Sequence, residues 1–172
     1  MRLENKVILV TASTRGIGWE IVQACAREGA IVYMAVRDQQ RGGELAQALT
    51  SKGMWVKSVY MDVNREETLS GVVELAATEE GRIDVLVNNF GIGDPAHDQD
   101  LEHTSFDDFM CILRRNLASV YLTSQAAIEP MRASGGGSII NISSVGGRYP
   151  DLARVGYGVS KAAVNFLTKD IA

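Results

Sequence analysis

Short runs of apolar, β-branched residues alternate with longer amphipathic segments throughout this 172-residue chain. Strand-like runs lie at 6–12, 31–36, 55–63, 83–89 and 138–143, and helix-like segments lie at 16–28, 38–52, 65–80, 104–133 and from Arg154 onward. The run at 55–63 alternates as a strand with one exposed face does, while those at 83–89 and 138–143 are more continuously apolar, which is typical of buried parallel strands. The segment at 104–133 is long enough to contain a break. This alternation predicts an α/β fold with a doubly wound parallel sheet.

The composition is that of an ordinary globular protein. Hydrophobic residues make up 46% and charged residues 22% of the chain, and the net charge is −4 at pH 7. This charge gives no electrostatic basis for binding nucleic acid or an anionic membrane, so neither partner is expected. No stretch approaches the roughly 18 apolar residues that span a bilayer, and the first residues do not form a secretory signal. A cytoplasmic location is therefore expected.

The chain has no internal repeat and no linker, so residues 1–172 are expected to form a single domain. Its last residues fall inside a helical pattern without a stop signal, which indicates truncation at the C-terminal end. Cys25 and Cys111 lack a paired spacing and are expected to be small buried residues, while His97 and His103 are expected at the surface. No metal site is predicted.

Tyr157 and Lys161 lie four residues apart in the sequence GYGVSKAAVNFLTK. In a helix this spacing places the phenol and the ammonium group on one face, where the positive charge can favour the ionised phenol. Such a phenol can remove a proton from an alcohol or return one to a carbonyl. A helix can also carry this pair without any catalytic role, so the interpretation depends on the residues that accompany it.

The sequence TASTRGIG follows the first predicted strand and opens the next helix. Gly16 and Gly18 allow backbone N–H groups to approach a phosphate at the positive end of that helix. Ala12 stands where a dinucleotide-binding loop normally has its first glycine, so the motif alone also fits an ordinary turn between a strand and a helix. Its position at the carboxyl edge of a predicted parallel sheet favours a dinucleotide site.

The end of the second predicted strand indicates which dinucleotide is bound. An acidic residue there would bind the ribose of NAD, but the sequence has Val36 and Arg37 before Asp38. Arg37 and Arg15 can bind a 2'-phosphate, because a guanidinium group forms two parallel hydrogen bonds with phosphate. NADP is therefore favoured over NAD. In the alternative interpretation, Arg37 ends a surface strand and Asp38 caps the next helix.

Polar residues also follow the third and fourth predicted strands. Asp62 can accept a hydrogen bond from an adenine amino group, and Asn88, Asn89 and Gly91 follow the fourth strand beside the same predicted crevice. Turn chemistry alone also favours asparagine and glycine at strand exits. Their combination with the glycine-containing loop favours a role in binding.

The motifs TASTRGIG and NNFG, followed by Asn116, Ser144, Tyr157 and Lys161, resemble the short-chain dehydrogenase/reductase family in order and spacing. The resemblance covers the whole chain and implies that residues 1–172 are a single dinucleotide-binding and catalytic domain. Its implied fold is Rossmann-like and lacks the family's C-terminal strands. It implies that Tyr157 is the general acid–base, that Lys161 favours its ionisation and binds the nicotinamide ribose, and that Ser144 positions the substrate oxygen. Ser143 is the neighbouring hydroxyl, but Ser144 has the family's spacing to Tyr157. Asn116 is implied to disrupt its helix locally and to hold a water molecule of a proton relay.

The resemblance also implies a nicotinamide cofactor, a small-molecule substrate and assembly as a homotetramer through the helices at 104–133 and 154–172. The implied cofactor-binding residues are Thr11, Ser13, Thr14, Arg15, Gly16, Ile17, Gly18, Arg37, Asp62, Val63, Asn89, Gly91, Tyr157 and Lys161.

More narrowly, the stretches RLENKVILVTASTRGIG, EGRIDVLVNNFG and GGGSIINISSVGG resemble bacterial, especially clostridial, NADP-dependent 7α-hydroxysteroid dehydrogenases. Phe90 supports this subgroup, since most of the family has alanine there. The implied reaction interconverts the 7α-hydroxyl of bile acids and the 7-oxo form. The alternatives are a reductase of a 3-oxoacyl thioester or a sugar ketone, and a truncated nucleotide-binding fragment without activity. Trp19 departs from the pattern: a large aromatic residue directly after Gly18 can crowd the pyrophosphate, or it can pack outside the site.

Overall fold

Strands and helices alternate in the computed structural model, which describes residues 1–150 and 154–172. A 3₁₀ turn at Val145–Gly147 follows the last strand. The strands are β1 (Val7–Thr11), β2 (Ile31–Val36), β3 (Trp55–Tyr60), β4 (Val85–Asn88) and β5 (Ser138–Asn141). The helices are α1 (Gly16–Arg27), α2 (Gln39–Thr50), α3 (Glu67–Glu80), α4 (Phe106–Ala133) and α5 (Val155–Asp170).

The five strands form one sheet in the order β3-β2-β1-β4-β5. Strand β1 pairs in parallel with β2 and with β4, and β2 pairs in parallel with β3. The chain moves outward from β1 to β3, then returns to the other side of β1 for β4 and β5, which is the winding of a Rossmann-like sheet. The predicted α/β fold with a doubly wound parallel sheet is confirmed.

The described residues divide into two compact units. The first comprises Met1–Asn89 and Leu122–Ile140, and the second comprises Phe90–Tyr121 and Asn141–Ala172. The first unit contains β1 to β4 with α1 to α3 and a core of apolar side chains. The members of this core are Val7, Leu9, Tyr33, Ala35, Val59, Met61, Leu69, Val72, Val73, Ala76, Ile83, Leu86, Ala127 and Met131.

The two edge strands differ in how well the sequence predicted them. Strand β3 alternates between exposed and buried positions, as expected for a strand with one exposed face. Strand β5 was expected to be buried, but its residues are half-buried or exposed, and Ile140 is 48% exposed. The prediction of a buried strand at 138–143 is wrong, because β5 has a neighbouring strand on only one side among the described residues.

Helix α4 is continuous from Phe106 to Ala133. The predicted break in this segment is therefore absent, and the helix passes through Asn116 without the local disruption that the family resemblance implied. Pro130 lies in the last turn, where it has no N–H to donate to the carbonyl of residue 126. Helix α5 begins at Val155, close to the predicted start, and ends at Asp170 instead of continuing through the last residue.

Asp84 connects the beginnings of β1 and β4 in the first unit. Its buried carboxylate accepts hydrogen bonds from Lys6 Nζ at 2.9 Å, from Arg82 Nε at 2.8 Å and from the backbone N–H of Val7 at 3.0 Å. Burial opposes the charged form, but the hydrogen bonds from Arg82, Val7 and Lys6 outweigh it and lower the pKa of Asp84 to about 2.

Asp84→Asn is expected to lower the free energy of unfolding at pH 7 by roughly 1–2 kcal/mol, discounted for the partial exposure of Lys6 and Arg82. Because the folded pKa lies below the unfolded one, this stabilisation is present above pH ~4 and is lost as the pH falls towards 2. Urea unfolding of the parent and of Asp84→Asn, at pH values from 7 to 2.5, measures this difference in the free energy of unfolding. Glu67→Gln, which removes an exposed ion pair with Arg65, is the control and should have little effect. Equal urea midpoints for Asp84→Asn and the parent at pH 7 would contradict this role.

Candidate active site

Tyr157 and Lys161 lie on α5 in the second unit, with the ammonium nitrogen 5.8 Å from the centre of the phenol ring. Tyr157 is half-buried, whereas Lys161 is only 2% exposed. The helical spacing predicted from the sequence therefore brings the two groups together. The phenol remains partly accessible, while the positive charge beside it is withdrawn from water.

The ammonium group of Lys161 is held by neutral acceptors. Its Nζ donates hydrogen bonds to the carbonyl oxygens of Ile142 at 2.8 Å and Phe90 at 3.2 Å. Burial lowers the pKa of Lys161, because removal from water disfavours the charged form. Two carbonyl dipoles therefore orient the buried ammonium group. Neither of these two acceptors carries a negative charge, so they do not neutralise the cation beside the phenol.

Gly91 lies directly against this pair. A Cβ at this position would be 2.9 Å from Lys161 Nζ, 3.1 Å from Lys161 Cε and 3.8 Å from Tyr157 Cε2. These first two distances are too short for ordinary contacts, so any side chain would displace the ammonium group. Gly91 was predicted to contact a cofactor, and the structure places it beside both groups of the candidate acid–base pair.

Asn116 is fully buried on α4 and fixes the segment that follows Phe90. Its Oδ1 accepts from the backbone N–H of Ile92 at 2.8 Å, and its Nδ2 donates to Ile92 O and to Ser160 Oγ, each at 2.9 Å. Ser160 precedes Lys161 on α5. Asn116 therefore links this segment to α5 through its side chain, whereas its backbone carbonyl accepts from Ser119 Oγ at 3.0 Å.

The two candidate serines have different partners. Ser144 Oγ accepts a hydrogen bond from Gly146 N at 3.2 Å and thereby caps the 3₁₀ turn, which leaves its own hydroxyl hydrogen for another acceptor. Ser143 Oγ donates to the backbone carbonyl of Lys161 at 3.3 Å. The hydroxyl of Ser143 is thus directed to α5, and Ser144 is the serine with a hydrogen available for a ligand.

Gly147 positions this turn against α5, although the sequence reasoning did not select it. A Cβ on Gly147 would be 2.6 Å from the backbone carbon of Lys161 and 2.8 Å from its oxygen. The carbonyl of Gly147 also accepts from Asn165 Nδ2 at 3.1 Å. Only its position after Ser144 in the glycine pair VGG could have suggested such close packing.

In the first unit, the predicted glycine loop has the features of an anion-binding site at the N-terminus of α1. Arg15 provides no side-chain hydrogen bond to the helix, and the first turn contains no acidic residue, so the helix dipole is not compensated there. Gly16 has φ +56°, and a Cβ on it would meet nothing within 4 Å. Ser13 Oγ is buried without a hydrogen-bond partner within the described part of the chain. These features fit the pyrophosphate of a dinucleotide.

Asn89 holds this loop in shape. Its backbone N–H donates to Thr11 Oγ1 at 2.9 Å, and its Nδ2 donates to the carbonyls of Thr11 and Ala12 at 3.2 and 3.1 Å. A Cβ on Gly18 would be 2.5 Å from Asn89 Nδ2, so glycine is required at that position. Ala12 adopts φ +52°, a left-handed conformation that ordinarily favours glycine. Thr11 and Asn89 therefore shape the loop by bonding to each other.

Other predicted cofactor residues are placed as follows. Arg37 is exposed directly after β2, while Asp38 caps α2 by accepting from Arg41 N at 2.9 Å. Asp62 accepts from the backbone and side-chain nitrogens of Asn64 at 3.0 and 2.9 Å. Ile17 and Arg15 are exposed, Thr14, Val63 and Trp19 are half-buried, and Asn88 bonds to Thr123 and Ser124.

No cluster of three or more histidine, cysteine or acidic side chains suited to a metal ion occurs among the residues that the structure describes.

Cys25 is half-buried, and burial raises the pKa of its thiol. Cys111 is exposed on α4, so the expectation that it is buried is wrong: its position lies on the outer face of the amphipathic helix. Within residues 1–150 and 154–172, no helix is both long enough and apolar enough to span a bilayer.

A family model described as short chain dehydrogenase matches residues 6–172. The chain therefore belongs to the short-chain dehydrogenase family. Over 171 residues it is 47% identical to a 7alpha-hydroxysteroid dehydrogenase of Clostridium sardiniense and 45% identical to one of Paraclostridium sordellii. The resemblance to the clostridial group is thus confirmed.

These two alignments include 99% of this chain but 65% and 64% of the relatives, so the chain spans about two thirds of their length. A solved structure of a short chain dehydrogenase from Mycobacterium smegmatis superposes with a TM-score of 0.91 at 32% identity. That comparison covers 99% of this chain and 71% of the other.

Proposed function

We propose that the chain is the dinucleotide-binding and acid–base part of an NADP-dependent oxidoreductase that interconverts a secondary alcohol and a ketone. The observation that carries this proposal is the accessible phenol of Tyr157 beside the buried ammonium group of Lys161. We further propose that the substrate is a bile acid, oxidised from the 7α-hydroxyl to the 7-oxo form or reduced in reverse. The two clostridial 7alpha-hydroxysteroid dehydrogenases support this choice.

In the direction of alcohol oxidation, Tyr157 Oη takes the proton of the substrate hydroxyl, and in ketone reduction it returns a proton to the carbonyl oxygen. Lys161 holds its positive charge beside the phenol ring, where it stabilises negative charge that develops during the proton transfer. Ser144 donates its remaining hydroxyl hydrogen to the substrate oxygen. Bound NADP supplies the acceptor or donor of the hydride, which the side chains of this chain cannot provide.

Asn116 contributes by holding Ile92, in the segment after Phe90, and Ser160, the residue before Lys161 on α5. We propose that the proton leaving Tyr157 reaches solvent by way of Lys161. For the cofactor, Ser13, Gly16 and Gly18 suit the pyrophosphate, and Asp62 is the candidate for the adenine. Most of the candidate binding residues lie in the first unit, and the candidate acid–base residues lie in the second.

We also propose that the enzyme assembles as a homotetramer. Large apolar side chains are exposed on the second unit, namely Phe106 at 74% on α4 and Phe166 at 73% and Val159 at 43% on α5. Contact with other copies of the chain would remove this apolar surface from water.

The direct test is the NADP-dependent oxidation of chenodeoxycholate and cholate, followed at 340 nm, with the 7-oxo product identified by mass spectrometry. Bile acids with a 7β-hydroxyl and bile acids without a 7-hydroxyl are the controls, and 3-oxoacyl thioesters and sugar ketones test the other substrate classes. Turnover restricted to 7α-hydroxyl substrates supports the proposal. Preferred reduction of a 3-oxoacyl thioester, or no turnover of any substrate, would overturn it.

Selectivity for NADP depends on Arg37 in this proposal. Asp38 already serves as the cap of α2, whereas Arg37 is exposed at the end of β2. Because hydrogen bonds to a charged phosphate contribute about 1.5–3 kcal/mol, Arg37→Ala is expected to weaken binding of 2',5'-ADP by roughly 10- to 100-fold while leaving 5'-AMP unchanged. Isothermal titration calorimetry measures both affinities without requiring turnover.

The control for this measurement is Arg41→Ala, which removes a nearby guanidinium that pairs with Glu44. It should alter neither affinity by more than about twofold, since surface ion pairs contribute little. If Arg37→Ala leaves the affinity for 2',5'-ADP intact, or weakens both nucleotides equally, Arg37 does not recognise the 2'-phosphate.

A further inference from the structure

The beginning of α5 is bound by a loop that lies 58 residues earlier in the sequence. Arg154, the residue before the helix, adopts φ 71° and ψ 54° and makes no capping hydrogen bond with its side chain, and the first turn contains no acidic residue. Three backbone N–H groups of that turn are bound by residues 98 and 99. Val155 N donates to Gln99 O at 2.9 Å, and Gly156 N and Tyr157 N donate to the carboxylate of Asp98 at 2.7 and 2.9 Å.

Asp98 is the central residue of this cap. It is 1% exposed, and its two carboxylate oxygens each accept one of the N–H groups. A negative charge at the N-terminus of a helix is favourable, and hydrogen bonds to an ionised acceptor are stronger than neutral ones. The approach is close because residue 156 is glycine, since a Cβ there would be 3.2 Å from Asp98 Oδ1 and 3.3 Å from Ile112 Cγ2.

The loop that carries Asp98 is itself fixed by local hydrogen bonds. Asp98 N and His97 N donate to the carbonyl of Asp94 at 2.6 and 2.9 Å, and Gln99 N donates to Thr104 Oγ1 at 2.9 Å. The loop that forms the cap therefore has hydrogen bonds of its own in addition to those with α5. A rigid acceptor of this kind can define where the first turn of the helix begins.

Tyr157 is the third residue of α5, so its Cα position depends on this first turn. Lys161 lies one turn further on, where Phe90 O and Ile142 O hold its ammonium group independently of the cap. Loss of the Asp98 hydrogen bonds would therefore loosen Tyr157 while leaving Lys161 in place. The separation of the phenol and the ammonium group would no longer be fixed.

We infer that Asp98 is a positioning residue for Tyr157: by binding the N–H groups of residues 156 and 157 it sets the place of the phenol relative to Lys161. This inference rests on the proposed function, in which Tyr157 transfers the proton. Asp98 touches the backbone of the helix and acts on the reaction only through Tyr157.

The first experiment does not require turnover. The protein is labelled with [¹³Cζ]tyrosine, and the Tyr157 resonance is identified among the five tyrosines as the one that Tyr157→Phe removes. Asp98→Asn, which retains one acceptor oxygen, should shift or broaden this resonance and leave the other four unchanged. If the Tyr157 resonance of folded Asp98→Asn is identical to that of the parent, the inference is wrong, whether or not the chain oxidises bile acids.

The second experiment separates positioning from stability. In folded protein, Asp98→Asn should lower kcat by about 10-fold and Asp98→Ala by about 100-fold, because small displacements of a reacting group reduce the rate steeply. The dissociation constant for NADP should not change. Asp100→Asn is the matched control, since Asp100 is exposed in the same loop and its carboxylate accepts hydrogen bonds from Glu102 and His103, within the loop itself, among the described contacts.

A fall in thermal stability with kcat unchanged would give Asp98 a merely structural role and would overturn the inference. If the parent protein turns over none of the tested alcohols, the proposed function fails, and the tyrosine resonance alone then decides the role of Asp98.

Discussion

Tyr157→Phe is expected to lower kcat for alcohol oxidation by at least about 10³-fold while the dissociation constant for NADP stays within about twofold of the parent. The substitution removes only the phenolic oxygen, so the proton of the substrate hydroxyl has no acceptor at the reacting position, and acid–base groups of this kind contribute roughly 10²–10⁴-fold. Tyr157 is also half-buried, so the ring should keep its place in the fold. Initial rates of NADPH formation and calorimetric titration with NADP measure the two quantities.

Tyr121→Phe provides the control for this substitution. Tyr121 is 49% exposed on α4, and loss of its hydroxyl should leave kcat unchanged. Should Tyr157→Phe retain more than about a tenth of the parent activity, another group transfers the proton, and the proposed function loses the observation that carries it.

Lys161→Met is expected to lower kcat by roughly 10²–10⁴-fold through loss of the positive charge beside the reacting phenol. Methionine fills much of the space of the lysine stem but leaves the carbonyls of Phe90 and Ile142 without their donor. Lys161→Arg should not restore the activity, since a guanidinium group is larger than the ammonium group that the carbonyls of Phe90 and Ile142 hold. Lys169→Met, at the exposed end of α5, is the control and should behave as the parent.

The pH dependence gives a second signature of Lys161. Burial lowers the pKa of this ammonium group, so as the pH rises it loses its charge earlier than an exposed lysine does. Alcohol oxidation by the parent should therefore decline at alkaline pH before surface lysines titrate, and this decline should be absent from the residual activity of Lys161→Met. An unchanged alkaline limb in Lys161→Met would show that the limb belongs to another group.

Local patterns in the sequence were sufficient for the order of strands and helices and for the pairing of Tyr157 with Lys161. Both depend on short-range periodicity, because a spacing of four is enough to place two side chains on one helical face. The same reasoning located Gly16 and Gly18 at the start of α1. The match to a family model over residues 6–172 agrees with the resemblance drawn from these motifs.

Such local patterns could not predict contacts between residues that are far apart in the sequence. Asp98 lies 58 residues before Gly156, and Asp84 lies 77 residues after Val7, so no spacing rule connects them. The carbonyls that hold Lys161 are backbone atoms, which carry no signature in the side-chain sequence. Whether a strand lies at the edge or in the centre of a sheet depends on its neighbours and not on its own residues. The apolar run of β5 was therefore wrongly predicted to be buried.

Ala12 has a consequence for how the glycine loop meets its ligand. Its left-handed backbone conformation is unfavourable for a residue with a Cβ by roughly 1–2 kcal/mol, yet its carbonyl is held by Asn89 and its N–H by Ala35. Compared with glycine, alanine also restricts the conformations of the unfolded loop. The bend after β1 is therefore preorganised, and an incoming dinucleotide need spend little of its binding energy on ordering the backbone that receives it.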